Sequence, residues 1–507
     1  MVASRLSGVK RESPPDLASP HPSRLLTSTA SGVTISPSRS HIERSVRNFL
    51  LGSPARRARR GADRTTPSAR ECCHVTEEAD VVVVGGGIAG LITARELGRK
   101  GLRVTVLEAR DRLGGRVWTD HRLGRDLEIG GTWLHWTQPH AWSEVTRYGL
   151  DITRGPRPEE AYWLAGDEVR TGTLDGFMEL IDPGMRRLLH ETMQRIPRPH
   201  DPLSEPGLKD VDGANLRDKL DELDLPVEEY RANEAAWVGH FNAPLEDGAY
   251  TSALRWTAAT AGSWHLMHEA SAVFRLAGGT RSLVESIVAD TDADIRTSTE
   301  VAHVEHDADG AVVTTTTGER ITARRVVLTL PQNVLGGLPV SPALCAEKQA
   351  ATEEGTASKG VKVWIRVRGP ITPFFAYSSA SHPLSVVRTE FVGDDDAVLV
   401  SFGADARRIS PNDLDAVREA LRVWRDDLEV LEVTGHDWVA DPLSRETWLI
   451  QQPNQLTRYF AAQQRAEGVL HFAGSDYANL WAGFIDGAIE SGHRVAREVT
   501  AGLTETA

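Results

Sequence analysis

Residues 80–116 of the chain, DVVVVGGGIAGLITARELGRKGLRVTVLEARDRLGGR, carry the pattern that decides its fold. The β-branched run Val81–Val84 is typical of a strand buried on both faces, and the glycines after it lead into a helical stretch. We expect Gly85 to permit the tight turn, Gly87 to let the backbone approach a pyrophosphate, and Gly90 to let helix and strand pack closely. The order strand, glycine turn and helix predicts a phosphate site at the N-terminus of the helix.

A second strand is predicted directly after this helix. The run 103–107 ends at Glu108, which lies 21 residues beyond Gly87. An acidic residue at that distance, at the end of the second strand, accepts hydrogen bonds from a ribose in dinucleotide-binding proteins. A glycine turn that served only packing would not explain this acid. The sequence therefore predicts a Rossmann-like dinucleotide-binding unit.

A second glycine pair follows within Glu108–Arg116, and arginines flank it. Arg110 and Arg116 suit charge-assisted hydrogen bonds to the same pyrophosphate. With this arginine-flanked pair directly after the ribose-binding acid, the chain resembles the flavin-dependent amine oxidases. The segment 128–148, which begins EIGGTWLHW, resembles the monoamine oxidases, and their soluble fungal-type members more than the membrane-anchored animal enzymes.

The C-terminal segment carries the most specific part of this resemblance. The runs 471–476 and 481–492 form a predicted loop and helix, and in the family the N-terminus of this helix faces the pyrimidine ring of the flavin. The resemblance implies that the backbone N–H of Ile485 serves the ring carbonyl, where a positive helix end would stabilise the reduced ring. Asp476 stands where the family usually has Glu, and the resemblance gives it a hydrogen bond to the flavin chain.

Two aromatic residues are implied as the walls of a substrate cage. By the resemblance, Trp448 and Phe484 present the nitrogen of the substrate to the flavin face. Facing π-clouds orient an amine and attract its cationic form by about 0.5–2 kcal/mol, while they tolerate the neutral form that reacts. The animal enzymes attach their flavin through a cysteine in this segment, and none lies near Trp448. The resemblance therefore implies noncovalent FAD.

Lysine is scarce in this chain, yet Lys362 lies in the otherwise largely apolar run 361–367. On pattern alone, a solvated lysine on an alternating strand face is the plainer interpretation, because lysines are seldom buried without a partner. The resemblance instead implies that Lys362 holds a water against the flavin N5, where it assists oxygen reduction or imine hydrolysis. Lys359 is the competing candidate, and we expect it to be exposed.

The resemblance covers nearly all of residues 78–500 and implies a full set of site residues. The implied catalytic residues are Lys362, Trp448 and Phe484. The implied FAD-binding residues are Gly85, Gly87, Ile88, Ala89, Gly90, Glu108, Ala109, Arg110, Gly115, Arg116, Gly131, Thr132, Val301, Asp476 and Ile485. In the family the residue at Val301 meets the adenine end of the cofactor through its backbone, although a valine in a strand otherwise indicates core packing.

The expected fold is of the α/β class, with a discontinuous Rossmann-like FAD-binding domain and an inserted α+β substrate domain. The chain has 507 residues, more than the size at which one core stops growing, which favours at least two packed units. The predicted boundaries are 1–77 for a disordered basic extension, 78–155, 276–345 and 440–507 for the FAD-binding domain, and 156–275 and 346–439 for the substrate domain.

Charge is distributed unevenly along the chain. Residues 1–70 carry twelve arginines and one lysine against four acidic residues, which leaves a net charge of −23 for the remainder. Such an Arg- and Ser-rich stretch cannot bury enough apolar surface to become ordered, and it also resembles a transit peptide or a nucleic-acid-binding arm. The acidic remainder argues against a nucleic-acid surface.

The location of the protein is inferred from its apolar runs and its cysteines. The longest nearly apolar run, 81–94, is too short to cross a membrane. Three cysteines cannot build a disulfide framework, and they fit a reducing compartment. We therefore expect a cytoplasmic protein, or an organellar (mitochondrial) one if residues 1–70 act as a transit peptide.

The resemblance implies oxidation of a primary amine to an imine, which water hydrolyses to an aldehyde and ammonia, with O2 reduced to hydrogen peroxide. A flavin oxidase of secondary or cyclic amines such as nicotine-like alkaloids, of polyamines or of amino acids would share every cofactor motif. Amino-acid oxidation would require a positioned arginine for the carboxylate, and the sequence identifies none. A non-catalytic flavin-binding interaction protein is the alternative of another class.

The expected partners are a small-molecule amine and O2, without nucleic acid or a membrane anchor, and a homodimer stays open. The histidines of the sequence form no metal-binding motif. His265 and His268 are three residues apart on a predicted helix, and a satisfied structural pair is the plainer interpretation. We therefore expect no metal.

Overall fold

The computed structural model describes residues 77–166 and 168–505. These residues belong to one compact unit. The predicted basic extension lies outside the described residues, except for Glu77, which already begins the first strand. Within the described ranges, no helix is both long and apolar enough to cross a membrane.

The strands are short, and helices separate many of them along the chain. In chain order they are β1 (Glu77–Val84), β2 (Val104–Leu107), β3 (Thr119–Arg122), β4 (Arg125–Glu128), β5 (Ile152–Arg154), β6 (Glu160–Ala165), β7 (Glu168–Gly172), β8 (Phe274–Leu276), β9 (Asp294–Arg296), β10 (Val301–His306), β11 (Ala311–Thr315), β12 (Arg320–Leu328), β13 (Val340–Ser341), β14 (Val361–Arg368), β15 (Phe374–Tyr377), β16 (Val386–Val392), β17 (Asp396–Gly403), β18 (Val430–His436) and β19 (Leu470–Phe472).

The helices are α1 (Ile88–Gly98), α2 (Pro139–Tyr148), α3 (Leu174–Leu188), α4 (Thr192–Arg195), α5 (Lys209–Asp212), α6 (Leu216–Asp221), α7 (Val227–Phe241), α8 (Tyr250–Ala258), α9 (Trp264–Ala272), α10 (Gly279–Ala289), α11 (Gln332–Leu335), α12 (Ala346–Glu354), α13 (Leu414–Leu421), α14 (Gln455–Gln464) and α15 (Ile485–Glu505). Helix α1 starts at Ile88, directly after the three glycines, and the N–H of Leu91 donates to the carbonyl of Gly87. Helix α1 therefore begins inside the glycine turn.

An eight-stranded sheet forms the first layer, in the order β13-β10-β11-β12-β1-β2-β9, with β19 paired to β12. Strand β1 runs parallel to both β12 and β2, so β1, α1 and β2 form the unit that the sequence predicts. Val81 and Val83 enter the core on one face of the sheet, and Val82 and Val84 enter the core on the other. Burial on both faces explains why this strand is uniformly apolar.

Helix α15 packs against α1 beside this sheet. A Cβ at Gly492 would lie 2.7 Å from the carbonyl oxygen of Ala89, closer than real Cβ atoms approach. The absence of a side chain at Gly492 therefore allows the two helices to pack closely. Ile485, the first residue of α15, shares one apolar core with Ile88, the first residue of α1. The packing thus holds the start of α15 near the glycine turn.

A seven-stranded sheet forms a second layer, in the order β18-β14-β17-β16-β15-β6-β7. Its neighbouring strands are antiparallel, except that β6 and β15 run parallel. A largely helical core, to which α3, α7 and α8 contribute, packs against β6 and β15. Trp237 and Phe241 of α7 are fully buried in this core.

The two sheets follow the predicted segments of the chain. Every strand of the eight-stranded sheet lies in a segment predicted for the FAD-binding domain, and every strand of the seven-stranded sheet in one predicted for the substrate domain. Strand β8 crosses the predicted boundary at residue 276 and pairs with β5. Because the described residues form one compact unit, the division into two domains stays a prediction.

Candidate active site

A cavity of about 1290 Å³ extends from the C-terminal end of β1 to the second sheet. It is larger than the roughly 300–1,000 Å³ of most small-molecule sites, and so has room for a dinucleotide together with a small ligand. The implied site residues that line it are Gly85, Gly87, Ile88, Ala89, Glu108, Ala109, Arg110, Gly115, Arg116, Gly131, Thr132, Val301, Lys362, Trp448, Phe484 and Ile485. Gly90 and Asp476 are not part of its lining.

The two glycine turns face each other at one end of the cavity. A Cβ at Gly115 would lie 3.2 Å from the Cα of Gly87, and Gly87 forms an isolated bridge with Gly114. Gly85 has a φ of +108°, and a Cβ there would lie 2.5 Å from Thr329 Oγ1. Side chains at these positions would fill the space between the turns. The backbone surface that remains is the kind that binds a pyrophosphate.

Gly90 acts behind this surface. A Cβ at Gly90 would lie 2.1 Å from the carbonyl oxygen of Gly85, so any side chain would displace the turn. Its predicted role in close packing of helix and strand agrees with this position, whereas direct contact with a ligand does not.

Glu108 lies directly after β2, at the edge of the cavity. Its Oε2 accepts from the N–H of Gly86 at 2.7 Å, and its Oε1 accepts from the N–H of Arg110 at 2.8 Å. These bonds fix the carboxylate and leave lone pairs on both oxygens, since each can accept more than one hydrogen bond. The residues present therefore fit a ribose.

The arginines of the second glycine turn bind protein carboxylates. Arg116 donates to Glu446 Oε1 at 2.7 Å and to Asp476 Oδ2 at 2.8 Å. Arg110 donates to Asp441 Oδ1 at 3.0 Å. A guanidinium held among buried groups requires carboxylate partners. Both arginines also line the cavity, and their charge-assisted bonds to a pyrophosphate stay a prediction.

Asp476 lies behind the cavity wall, where it holds Arg116. Its fully buried carboxylate also accepts from the N–H of Gln332 at 3.1 Å. Burial and repulsion from Asp476 raise the pKa of Glu446 well above its usual range. Burial opposes ionisation of Asp476 as well, but attraction to Arg116 outweighs it and lowers the pKa of Asp476. Of the two carboxyls, Asp476 therefore ionises more readily than Glu446, and the contact of Asp476 with the flavin chain stays a prediction.

Lys362 is buried and reaches the cavity. Its Nζ donates to the carbonyls of Glu128 at 2.7 Å and Gly130 at 2.9 Å, and to Thr132 Oγ1 at 2.6 Å. Burial lowers the pKa of Lys362 to about 7, although the nearby charge of Glu128 acts in the opposite direction. Lys359 is exposed, as expected. Of the two candidate lysines, Lys362 is the one in the cavity.

The alternation of β14 explains this orientation. Val361 and Val363 point into the core on one face of the second sheet. Lys362 and Trp364 point to the opposite face, where both donate to the carbonyl of Glu128 at the end of β4. The solvated alternative for Lys362 is wrong because β4 and the loop after it cover this face.

Trp448 and Phe484 lie on loops that touch. A Cβ at Gly483 would lie 3.0 Å from the backbone nitrogen of Leu449, so the residues next to Trp448 and Phe484 are in direct contact. The Trp448 ring meets Phe402 edge-on at 5.9 Å. The Phe484 ring meets Trp256 edge-on at 5.0 Å. Both implied cage residues are half-buried and line the cavity.

Three implied cofactor residues lie at the ends of elements. Ile485 begins α15, Val301 begins β10, and Thr132 follows β4. All three line the cavity, and Thr132 also accepts the hydrogen bond from Lys362. Their contacts with the cofactor stay predictions.

Several cavity residues were missed by the sequence analysis. They come from the inserted segments and include His240, Trp256, His268, Tyr377, Arg388 and Phe402. Arg388 corrects the expectation that no arginine is positioned in the site, although its Nη2 donates to Glu390 Oε2 at 2.8 Å. No motif marks these residues, because helices and strands far apart in sequence bring them together.

His265 and His268 each have a partner within the protein, as expected of structural histidines, but they do not contact each other through these atoms. The Nδ1 of His268 lies 3.4 Å from His240 Nε2. The Nε2 of His265 instead lies 3.5 Å from Asp182 Oδ1. The spacing of the two residues put them on one helix, α9, but their rings have different partners in other helices.

One group of residues has the spacing of cation ligands. Ligand atoms of His140, Asp486 and Glu490 lie within 4.8 Å of one another. Asp486 already accepts from His140 and from the N–H of Ala141. Glu490 accepts from two backbone N–H groups, of residues 479 and 480. Because protein donors already use these oxygens, we assign no metal to the group.

Cysteine is absent from the cavity lining of the described residues. Cys345, which those residues include, is free and lies elsewhere. Cys72 and Cys73 precede the described ranges. Noncovalent attachment of the cofactor stays a prediction.

Comparisons with known proteins bear on the same cavity. A family model described as flavin containing amine oxidoreductase matches residues 88–500. The chain is similar to pseudooxynicotine dehydrogenase of a Pseudomonas species, with 38% identity over 431 residues, 84% of this chain and 86% of the relative. It is also similar to nicotine dehydrogenase of Pseudomonas putida (strain DSM 28022 / S16), with 34% identity over 424 residues, 83% and 88% of the two chains. Among solved structures, a triple mutant of putrescine oxidase aligns with a TM-score of 0.75 and 26% identity, covering 84% of this chain and 99% of that one.

Proposed function

This chain belongs to the flavin-containing amine oxidoreductase family, and we propose on that premise that it oxidises an amine at the carbon next to the nitrogen. The resemblance drawn from the motifs is thereby confirmed, together with the α/β fold class and FAD as the cofactor. The observation that carries the proposal is a single cavity that joins facing glycine turns to a buried lysine and two aromatic loops.

FAD, when bound, would supply the two-electron chemistry by accepting one hydride equivalent, a proton with two electrons, from the substrate carbon. We propose that Gly87, Gly115 and Glu108 bind its pyrophosphate and ribose. Trp448 and Phe484 hold the amine between their rings, orient its reacting C–H bond and exclude water. Lys362 Nζ holds and exchanges a proton near neutral pH, because burial lowers its pKa to about 7.

Two substrate classes are carried forward from the motifs. Oxidation of a primary amine to an imine, with O2 reduced to hydrogen peroxide, is the first. The second is a secondary or cyclic amine of the nicotine type. Two relatives above 30% identity are named for pseudooxynicotine and nicotine, so we propose the nicotine type ahead of simple primary amines.

The electron acceptor needs its own test, since both of these relatives are named dehydrogenases. We propose O2 as the acceptor. Holoenzyme mixed with primary, secondary and nicotine-type amines without oxygen should lose its flavin absorbance at rates that identify the substrate class. Admission of O2 should then restore the absorbance with stoichiometric peroxide.

The anaerobic step and the O2 step of this experiment test different parts of the proposal. A flavin that no amine bleaches would contradict amine oxidation and favour the non-catalytic flavin-binding alternative. A flavin that amines bleach, but that O2 does not restore within the turnover time, would contradict only the oxidase part of the proposal.

A further inference from the structure

The amino group of Lys362 has an acceptor inside the protein for each of its three N–H groups. These acceptors are the carbonyls of Glu128 at 2.7 Å and Gly130 at 2.9 Å, and Thr132 Oγ1 at 2.6 Å. An ammonium group has three donors and no lone pair, so the charged form is fully bonded by the chain itself. When the proton leaves, one of these bonds loses its hydrogen and has to change.

The neutral form of Lys362 needs a donor in place of that acceptor. A neutral amine has two N–H groups and one lone pair, and a buried lone pair without a donor costs free energy. A backbone carbonyl only accepts, so neither Glu128 nor Gly130 can bond the lone pair. A hydroxyl both donates and accepts. Of the three partners, Thr132 is therefore the one that can bond both forms of the amine.

The hydroxyl of Thr132 is placed for such a change. It donates to the carbonyl of Gly130 at 3.1 Å, and the same oxygen accepts from Lys362 Nζ. If the hydroxyl turns from Gly130 to Nζ, the Gly130 oxygen keeps its bond from Lys362. This turn rotates one hydrogen about the Cβ–Oγ1 bond and moves no heavy atom. Both side chains line the cavity at 3% and 6% exposure, and their polar atoms stay paired in either state.

The charged and titratable side chains around Lys362 are bonded to other residues. The carboxylate of Glu128 accepts from two threonine hydroxyls, of residues 119 and 280. Arg388 and Glu390 pair with each other, and His436, opposite Lys362 in the register of β18, bonds the carboxylate of residue 441. Burial lowers the pKa of Lys362 to about 7, while the charges of Glu128 and Glu390 raise it and that of Arg388 lowers it. Both forms of the amine are therefore present near neutral pH.

We propose that Thr132 is a positioning residue that acts as a proton switch on Lys362, accepting from its ammonium and turning to donate to its neutral amine. This role rests on the proton exchange at Lys362 that the proposed function assigns, and it differs from a contact of Thr132 with the cofactor. Reduction of O2 to hydrogen peroxide takes up two electrons and two protons. A lysine that releases a proton without leaving a buried polar atom unpaired suits that step.

The test removes the hydroxyl and follows the pH dependence of FAD reoxidation by O2, after reduction of the holoenzyme with dithionite. Thr132→Val keeps the shape of the side chain, and Thr132→Ser keeps the hydroxyl. Thr299→Val is the matched control, at a cavity threonine whose hydroxyl donates to the carbonyl of residue 297. We expect Thr132→Val to lower the midpoint of the profile by about one pH unit, because the ammonium loses a stronger hydrogen bond than the neutral amine does. Thr132→Ser and Thr299→Val should leave the midpoint unchanged.

A double variant shows whether Thr132 acts through the lysine. In a chain that already carries Lys362→Met, Thr132→Val should have no further effect on the reoxidation rate, because the switch has lost the group on which it acts. A direct contact of Thr132 with FAD would instead make Thr132→Val slow reoxidation with or without Lys362→Met.

Stability provides a measurement that needs no turnover. Urea unfolding of the FAD-loaded chain, with and without Lys362→Met, gives the contribution of Lys362 to the free energy of unfolding at each pH. The pKa of Lys362 in the folded chain lies below its ordinary value of 10.5, so this contribution rises with pH from the folded value upward. We expect the rise to begin about one pH unit lower in chains that carry Thr132→Val.

Three results would overturn the inference. These are an unchanged midpoint in Thr132→Val, an equal shift in Thr132→Ser, and an effect of Thr132→Val that persists in the Lys362→Met chain. Thr132→Ala replaces Thr132→Val if FAD content and thermal midpoint show that the valine variant has lost its fold. A wild-type holoenzyme that no amine bleaches would overturn the proposed function instead, and one that O2 does not reoxidise would overturn its oxidase part. The urea measurement decides the switch in both of those cases.

Discussion

The pKa of Lys362 is determined by its immediate surroundings. An ammonium with three acceptors is usually stable, yet burial lowers the pKa of Lys362 to about 7. The cost of desolvating the ammonium therefore has a larger effect on the pKa of Lys362 than the stabilisation from its hydrogen bonds. Perturbed groups of this kind, in a cavity, are typical of functional sites.

Replacement of this lysine should slow the return of electrons from the flavin. We expect Lys362→Met to lower the rate constant for FAD reoxidation by O2 by about ten-fold or more, because a positive charge assists oxygen reduction. Stopped-flow absorbance measures the rate. Lys359→Met, at the exposed lysine three residues away, is the control and should reoxidise like the unchanged chain. Equal rates in both variants would remove Lys362 from the mechanism.

The pH dependence follows from the direction of this shift. The ammonium of Lys362 is present below about pH 7 and is lost above it, so the reoxidation rate should fall as pH rises through about 7. Between about pH 7 and the ordinary lysine value of 10.5, the unfolded chain binds one proton more than the folded chain. Over that window, stability relative to Lys362→Met should therefore rise with pH. A flat rate profile, or a stability difference that falls with pH, would contradict this assignment.

The aromatic pair is tested by truncation. Trp448→Ala and Phe484→Ala should each lower kcat/KM for the best amine by about ten- to a hundred-fold, because the amine loses its orientation. FAD content should stay unchanged. Trp136→Ala removes an exposed tryptophan outside the cavity and should have little effect. Normal amine oxidation by both cavity variants would rule out the cage.

At the scale of elements, the glycine turn and α1 behave as one unit. Gly90→Ala should lower FAD affinity by about a hundred-fold or more, because its Cβ would lie 2.1 Å from the carbonyl oxygen of Gly85 and displace the turn. Gly98→Ala, in the same helix, has nothing within 4 Å of its Cβ and should be neutral, or stabilising by up to about 1 kcal/mol. FAD titration and thermal melting separate the two variants. Equal FAD affinities would contradict the packing role.

The ion pairs of Arg116 with Glu446 and Asp476 are tested by isosteric substitutions. Glu446→Gln should change the free energy of unfolding by less than about 1 kcal/mol, because burial and repulsion from Asp476 already disfavour the charged form of Glu446. Asp476→Asn should cost more, by about 1–3 kcal/mol, because it removes a buried carboxylate that pairs with Arg116 and accepts from the N–H of Gln332. Urea unfolding at neutral pH measures both. The reverse order of costs would show that the proton is on Asp476.

At the scale of the whole molecule, we expect the cofactor to fill the cavity between the two sheets. The cavity of about 1290 Å³ is lined by residues from the first sheet to the second, and we expect bound FAD to contact both. A ligand at a hundred times its Kd stabilises the folded state by about 2.7 kcal/mol. FAD binding should therefore raise the free energy of unfolding of the whole unit.

Removal of the cofactor should be reversible. If FAD is bound noncovalently, as the sequence predicts, denaturation in acid should release all of it into the supernatant. Apoprotein prepared under mild conditions should melt several degrees lower, and added FAD should restore the midpoint, whereas FMN should restore it less because it lacks the adenine half. Flavin that stays with the precipitated protein would contradict noncovalent binding.

The glycine turn, the buried strand before it and the acid after the second strand were predictable from the sequence. Each depends on residues close together in the chain, where backbone geometry allows few alternatives. Gly85, Gly90 and Glu108 lie where their local pattern predicts, because a turn with positive φ and a close helix contact require glycine.

Only the tertiary structure decided which side chains meet in the cavity. Lys362 bonds residues 230 to 234 positions away in sequence, and Arg116 is paired with residues 330 and 360 positions distant. His240 and His268 come from different helices. The burial that sets their pKa values depends on neighbours from several elements, and a linear pattern carries no information about which neighbours those are. The sequence by itself therefore determined the cofactor turn and the family, while packing between distant segments decided the burial of Lys362 and which side chains line the cavity.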